Sequence, residues 1–265
     1  MASEKRVTCA ECGNTYDRLL LRCPYCRKGN ENRPNTRMTF LPIPYQISLF
    51  LIGLIGINVL AVLFSLIFAV VVKDNDPYKY LLINSMTYIT LFVIDFCVIL
   101  KYYNEFLEPF KKGRTYIAGL VGFAFIYGAS LLVSYIMSVL VPSAGTGGNQ
   151  SIAEMMILNN PVVCIFVIGL MGPFVEECAY RIGLFSLCKR ASRVLAYILA
   201  IIVFAFIHID FFSGNIINEL VALPDYLIAA ALFCVLYDLE GFGAVFIAHA
   251  LNNLLSIILI VSLNK

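Results

Sequence analysis

Long, nearly uninterrupted apolar runs set the first limit on what this chain can become. They lie near residues 46–72, 79–103, 115–141, 159–188, 194–211, 222–239 and 243–263. Most reach about 20 residues, the length a helix needs to cross roughly 30 Å of hydrocarbon. Backbone in lipid must satisfy its own hydrogen bonds, and continuous rather than alternating apolar sequence selects helices over a closed barrel. The expected fold is therefore all-α, a polytopic transmembrane helix bundle of about seven spans. Composition agrees, with 60% hydrophobic and 14% charged residues, against about 25% charged in soluble domains. The fourth run is long and carries charge in its second half, which is expected to be tilted or interfacial. With a net charge of +2, membrane lipid is an expected partner and nucleic acid is not.

Lys and Arg residues give the runs a direction. Eight precede the first run; Lys101, Lys111, Lys112 and Arg114 follow the second, and Lys189, Arg190 and Arg193 separate the fourth from the fifth. The opposite loops hold Lys73 and Lys79, and no basic residue from Pro142 to Asn160 or from Ile209 to Leu223. The positive-inside rule then places the N-terminus in the cytoplasm and Lys265 outside, with a bacterial cell membrane as the expected location. The first forty residues are polar and have no charged start leading into an apolar core, so no cleavable signal peptide is expected.

Ahead of the first run lie a cysteine-bearing module at 1–28 and a linker at 29–44 rich in Asn, Arg and Pro, with the transmembrane domain at 45–265. Cys9-x-x-Cys12 and Cys23-x-x-Cys26 form two knuckles ten residues apart, which can present four thiolates to one tetrahedral Zn²⁺. The module resembles a zinc ribbon. Two disulfides or redox-active thiols are the alternative, disfavoured in a cytoplasmic segment too short for its own core. Protein is the expected partner class for such a ribbon. Cys97, Cys164, Cys178, Cys188 and Cys234 lack ligand spacing and read as small packing residues.

Ionisable groups inside a span cost about 2.5–3.5 kcal/mol each on insertion scales, so those retained are functional candidates. The fourth run carries Glu176-Glu177-Cys178-Ala179-Tyr180-Arg181, the fifth Phe204-Ala205-Phe206-Ile207-His208, and the seventh His249-Ala250-Leu251-Asn252-Asn253; together these use both histidines of the chain. Glu177 and Arg181, four apart, share one helix face and can pair, as can His249 and Asn253, while Glu176 is turned about 100° from the Glu177–Arg181 pair. Measured from the basic ends, Glu176 and His208 lie roughly 18–21 Å deep and His249 and Asn253 roughly 10–16 Å, so three spans can converge on one cavity. Gly172-Pro173 is expected to kink the fourth span beside it. Asp95, alone in the second run, reads as a helix-packing contact or a support for the cavity.

Glu-Glu-x-x-x-Arg, Phe-x-x-x-His and His-x-x-x-Asn in this order resemble the CPBP intramembrane proteases, which include type II CAAX prenyl endopeptidases and bacteriocin-processing or immunity-associated relatives. The likeness covers about 115–263. It implies that Glu176 and His208 activate a water, that His249 and Asn253 support the oxyanion, and that Glu177 with Arg181 hold the acidic motif. A rival arrangement makes Glu176, His208 and His249 ligands of a catalytic Zn²⁺. Glutamate chemistry is favoured, because an Asn one turn from a His suits oxyanion support.

Other intramembrane protease designs fit poorly. There is no His-Glu-x-x-His, Gly128-Ala129-Ser130 is an incomplete serine motif, and Gly241-Phe242-Gly243 is followed by Ala244 rather than Asp. The expected activity is hydrolysis of a peptide bond in a membrane-associated or lipidated substrate. Its competitor is a non-proteolytic scaffold or immunity-type protein whose polar residues pin helices or bind a partner; a transport path is a third reading, not supported by paired halves.

Overall fold

The computed structural model describes residues 6–72, 78–211 and 214–264. Lys73 and Lys265, used above in the sidedness argument, lie outside these.

At the N-terminus, strands β1 (Arg6–Thr8) and β2 (Thr15–Asp17) pair antiparallel with Val7 opposite Tyr16. The two cysteine knuckles follow the same backbone path. The N–H of Gly13 donates to Cys9 O at 3.0 Å, and that of Arg27 to Cys23 O at 2.9 Å. Both residues take a left-handed φ, 69° at Gly13 and 67° at Arg27. Such a turn aims two thiols to one side, and glycine adopts it at no steric cost whereas Arg27 does not.

Among the described residues eight helices follow: α1 (Ile43–Ala69), α2 (Tyr78–Phe110), α3 (Gly113–Leu140), α4 (Gly148–Asn159), α5 (Pro161–Lys189), α6 (Arg193–Phe206), α7 (Ile216–Glu240) and α8 (Phe242–Leu263). Six of them, α1, α2, α3, α5, α7 and α8, are long and apolar enough to cross a membrane. The all-α polytopic bundle is therefore as expected, with one correction. The fifth expected span, 194–211, is helical only over the 14 residues of α6, about 21 Å at 1.5 Å per residue. Residues 207–211 continue without helix: the N–H of Asp210 donates to Glu219 Oε2 at 3.2 Å, and that of Gly148, at the start of α4, to Glu219 Oε1 at 2.6 Å. Non-helical backbone at such depth is tolerated where protein or a cavity surrounds it.

In the charged half of the fourth run every residue from Cys178 to Phe185 is buried inside the protein, which makes α5 the innermost helix. Its turns widen to π-type spacing at Val167–Met171 and again at Cys178–Phe185, on either side of Gly172–Glu177. Pro173 removes one intrahelical donor between them, and such widened turns re-aim side chains. Small residues let neighbours close in on α5. A Cβ at Gly53 of α1 would overlap Ala179 Cβ, and one at Gly183 would come within 2.9 Å of Phe50 N. Packing of this kind replaces the hydrophobic effect as the force between helices in lipid.

The ends of the bundle differ in charge. At one end Arg22 pairs with Glu108, Arg37 and Arg114 with Glu240, Lys189 and Arg193 with Asp238, and Arg190 with Asp17. At the other end Gly145 N–H donates to Asn218 Oδ1 and Gly148 N–H to Glu219 Oε1. The cysteine module docks on the basic end, with Leu21 N–H donating to the buried Glu105 carboxylate at 2.6 Å. Residues 38–41 are buried as well. Tyr237 Oη donates to Thr39 O at 2.5 Å, and Gly241, at φ 82°, leaves no room for a Cβ beneath Arg37 O.

Candidate active site and metal centre

The three polar motifs meet in one cavity of about 320 Å³ inside the bundle, lined among others by Glu176, His208, His249 and Asn253. Glu176 and Glu177 are adjacent on α5 but face different neighbours, as the 100° step requires. Glu176 Oε2 lies 4.0 Å from His208 Nε2 and 3.8 Å from His249 Nε2, while Tyr88 Oη of α2 donates to its Oε1 at 3.3 Å.

Each imidazole is held through its other nitrogen. His208 Nδ1 is 2.7 Å from Phe204 O, and His249 Nδ1 is 2.8 Å from Glu177 Oε1. A carbonyl and a carboxylate can only accept, so Nδ1 donates in both rings and each Nε2 is turned toward Glu176. Ring contacts fix their planes: His208 stacks on Tyr226 at 4.7 Å between centroids and His249 on Phe233 at 4.4 Å.

Behind this layer Glu177 and Arg181 are fully buried and pair at 3.2 Å. Glu177 thus joins two groups, His249 through Oε1 and Arg181 through Oε2. The Arg181 guanidinium sits 4.5 Å from the Phe204 ring centre and 5.3 Å from that of Phe233. Such cation–π contact suits a desolvated charge, and the same two aromatic rings support the histidines. Asn253 donates from Nδ2 to Ile168 O at 3.0 Å, within the first widened turn of α5, and keeps its second amide N–H.

Sequence spacing exposed neither Tyr88, 88 residues from its partner, nor the Glu177–His249 bond. Tyr226 and Phe233 read as ordinary apolar positions of α7. Asp95 is fully buried but does not line the cavity.

Outside the bundle, Cys9, Cys12, Cys23 and Cys26 bring their Sγ atoms within 4.8 Å of one another, a group that can hold one metal ion. Cys9–Cys26 and Cys12–Cys23 Sγ distances are 3.5 and 3.7 Å, against about 3.8 Å for the edge of a tetrahedron with 2.3 Å zinc–sulfur bonds. Asn14, through its backbone N–H and then its side-chain amide, pulls the Cys12 thiol down to about 6. At Cys26 the Lys28 backbone N–H lowers the thiol, but desolvation and the neighbouring sulfurs outweigh it and push it up to about 12. Four crowded thiolates are mutually compatible when a cation lies between them. The cavity triad is looser. Its gaps of 3.8 and 4.0 Å exceed the roughly 3.3 Å edge that Zn–N and Zn–O bonds of about 2.0–2.1 Å would set, and, among the described residues, it does not form a group within 4.8 Å as the cysteines do.

Residues 158–255 match the family model described as type II CAAX prenyl endopeptidase Rce1-like. A curated relative, UPF0177 protein YvdC of Lactococcus lactis, is 26% identical over 89 residues, 34% of this chain and 34% of that protein. The alignment thus spans about a third of the length of the relative. No solved structure matches. The resemblance to the CPBP proteases is borne out over the matched residues, which contain all three motifs.

Proposed function

We propose that this chain is an intramembrane endopeptidase in which Glu176 and His208 activate a water. The observation that carries the reading is the approach of two imidazole Nε2 atoms to one carboxylate oxygen, at 3.8 and 4.0 Å. A water hydrogen-bonded at about 2.8 Å to each group spans such gaps. Glu176 takes its proton as the hydroxide attacks the scissile carbonyl, and returns it to the amide nitrogen as the tetrahedral intermediate breaks its C–N bond and the amine leaves. The free amide N–H of Asn253 and a protonated His249, its charge balanced by Glu177, donate to the oxyanion. The family match supports intramembrane proteolysis in general.

Substrate chemistry follows from the cavity wall. It carries the acids Glu176 and Asp225 and no Lys or Arg among the described residues, so nothing there pairs with a free C-terminal carboxylate. Internal sites in extended or lipidated chains fit better than a free C-terminus close to the scissile bond. In proteoliposomes, peptides from a broad library should be cleaved by the full-length protein, and C-terminal amidation should change kcat/KM by less than about threefold, since no buried ion pair is lost. A well-folded protein that cleaves none of them, or a strict need for a free carboxylate, would count against this reading.

The cysteine module is assigned to structural Zn²⁺. Purified protein should hold about one equivalent, lost in Cys9→Ser/Cys12→Ser with the helical signal retained. Zinc persisting in that double variant would place the metal in the membrane cavity instead.

The basic end is assigned to the cytoplasm by the positive-inside rule. A cysteine-free variant carrying a labelling site between Gly145 and Gln150 should react with an impermeant reagent on intact cells, and one between Lys111 and Arg114 only after lysis. Reversed labelling would invert the topology.

A further inference from the structure

A second cavity, of about 590 Å³, opens at the basic end between residues 34–40 and the ends of α5, α6 and α7. Four cations line it, Arg37, Lys189, Arg190 and Arg193, against one lining carboxylate, Asp238. The charges around it do not balance. Lys189 and Arg193 share Asp238, Arg37 and Arg114 share Glu240, and Arg190 takes Asp17. Five cations thus meet three carboxylates, which leaves a surplus of two. Arg37 and Arg193 are the most exposed of the lining cations, at 53% and 65% of their side-chain surface, and each shares its carboxylate with a second cation, Arg114 or Lys189, that keeps it paired when the arginine turns toward a ligand.

The position of this cavity selects the ligand. Its rim is where the spans end, the level of lipid headgroups. Below Arg193, α6 leaves Val194, Ile198 and Ile202 exposed at one-turn spacing, an apolar strip on which an acyl chain can lie. Phe40 and Met38 close the inner wall. We propose that the cavity binds a phosphate ester, presented as the headgroup of an anionic phospholipid, with Arg37 and Arg193 as its principal contacts. Guanidinium groups suit the task because their planar forks match phosphate oxygens in pairs. The lipid would bridge the 34–40 segment to α6 and so tie the cysteine module to the helix that leads to His208.

Native mass spectrometry of the full-length protein, offered phosphatidylglycerol and phosphatidylcholine in equal amounts, tests the site. One phosphatidylglycerol should be retained selectively, and Arg37→Gln/Arg193→Gln should weaken its retention about thirtyfold, the factor two such charges supply at a membrane surface. Arg37→Lys/Arg193→Lys should keep most of the selectivity, which guards against a folding defect in the glutamine pair. Glycerol phosphate at millimolar concentration should not displace the lipid. If it does, with the same dependence on both arginines, the ligand is a soluble phosphate ester and the lipid assignment is overturned. Equal retention of the two lipids, or unaltered phosphatidylglycerol binding in the glutamine pair, overturns the site itself.

Discussion

Glu176→Gln is expected to remove peptide cleavage by about 10²–10⁴-fold, the range that a positioned general base contributes. The substitution keeps shape and leaves an acceptor for Tyr88 Oη, now 3.3 Å from the carboxylate, so folding should survive. It removes the one group between the two Nε2 atoms that can take a proton from water. His208→Ala, His249→Ala and Asn253→Ala should each lose activity by orders of magnitude, and combinations should lose little more than the worst single change, because these groups serve one transition state. Single-turnover cleavage in proteoliposomes, with the melting temperature of each variant measured in parallel, reads the effect. Full activity in a folded Glu176→Gln protein would defeat the hydrolase assignment and favour a scaffold whose polar residues only join helices.

The second large effect is on folding. Arg181→Ala should destabilise the bundle by about 3–5 kcal/mol, since removing one partner of a buried pair leaves the other charge uncompensated. Glu177→Gln should do the same with an added signature. Its carboxamide oxygen can still accept from His249 Nδ1, but a protonated His249 would lose its balancing charge, so kcat should fall more than KM rises. Glu177→Gln/Arg181→Met provides the control: with both charges gone and the space between Phe204 and Phe233 filled, stability should return while cleavage does not. Thermal unfolding followed by circular dichroism suits this chain, which contains no Trp. Single variants that unfold like the parent protein would show the pair to be dispensable for the fold.

Several features of the candidate site can be read locally. A residue four positions along a helix returns to the same face, so Glu177 beside Arg181 and His249 beside Asn253 follow from spacing alone, as does the separate outlook of Glu176. The link from Glu177 to His249 cannot be read that way, because it joins α5 to α8 across 72 residues. Expectation and structure also part at α6. Hydropathy continues through Ile207 and Ile209, so the run looks like a full span, yet the helix ends at Phe206 and His208 stands in non-helical backbone. What hydropathy cannot register is that protein or a cavity wall lies against the backbone, the settings that spare non-helical chain at that depth.

The sequence by itself determined that this is a helical membrane bundle, because lipid permits little else for apolar runs of such length, and that one end is basic. Its cysteine spacing likewise determined a four-thiol cluster, a local property of two short turns. Tertiary structure decided that the charged half of α5 is the innermost part of the molecule, that Glu177 serves both Arg181 and His249, and that Tyr88, Tyr226 and Phe233 hold the site. It also decided that residues 38–41 pack against α5 and α7 instead of swinging free. The division has one physical cause. A helix fixes the rise and rotation between neighbours along the chain, whereas contacts between helices depend on which small residues let two backbones close, as Gly53 does on Ala179, and that is a property of pairs far apart in sequence.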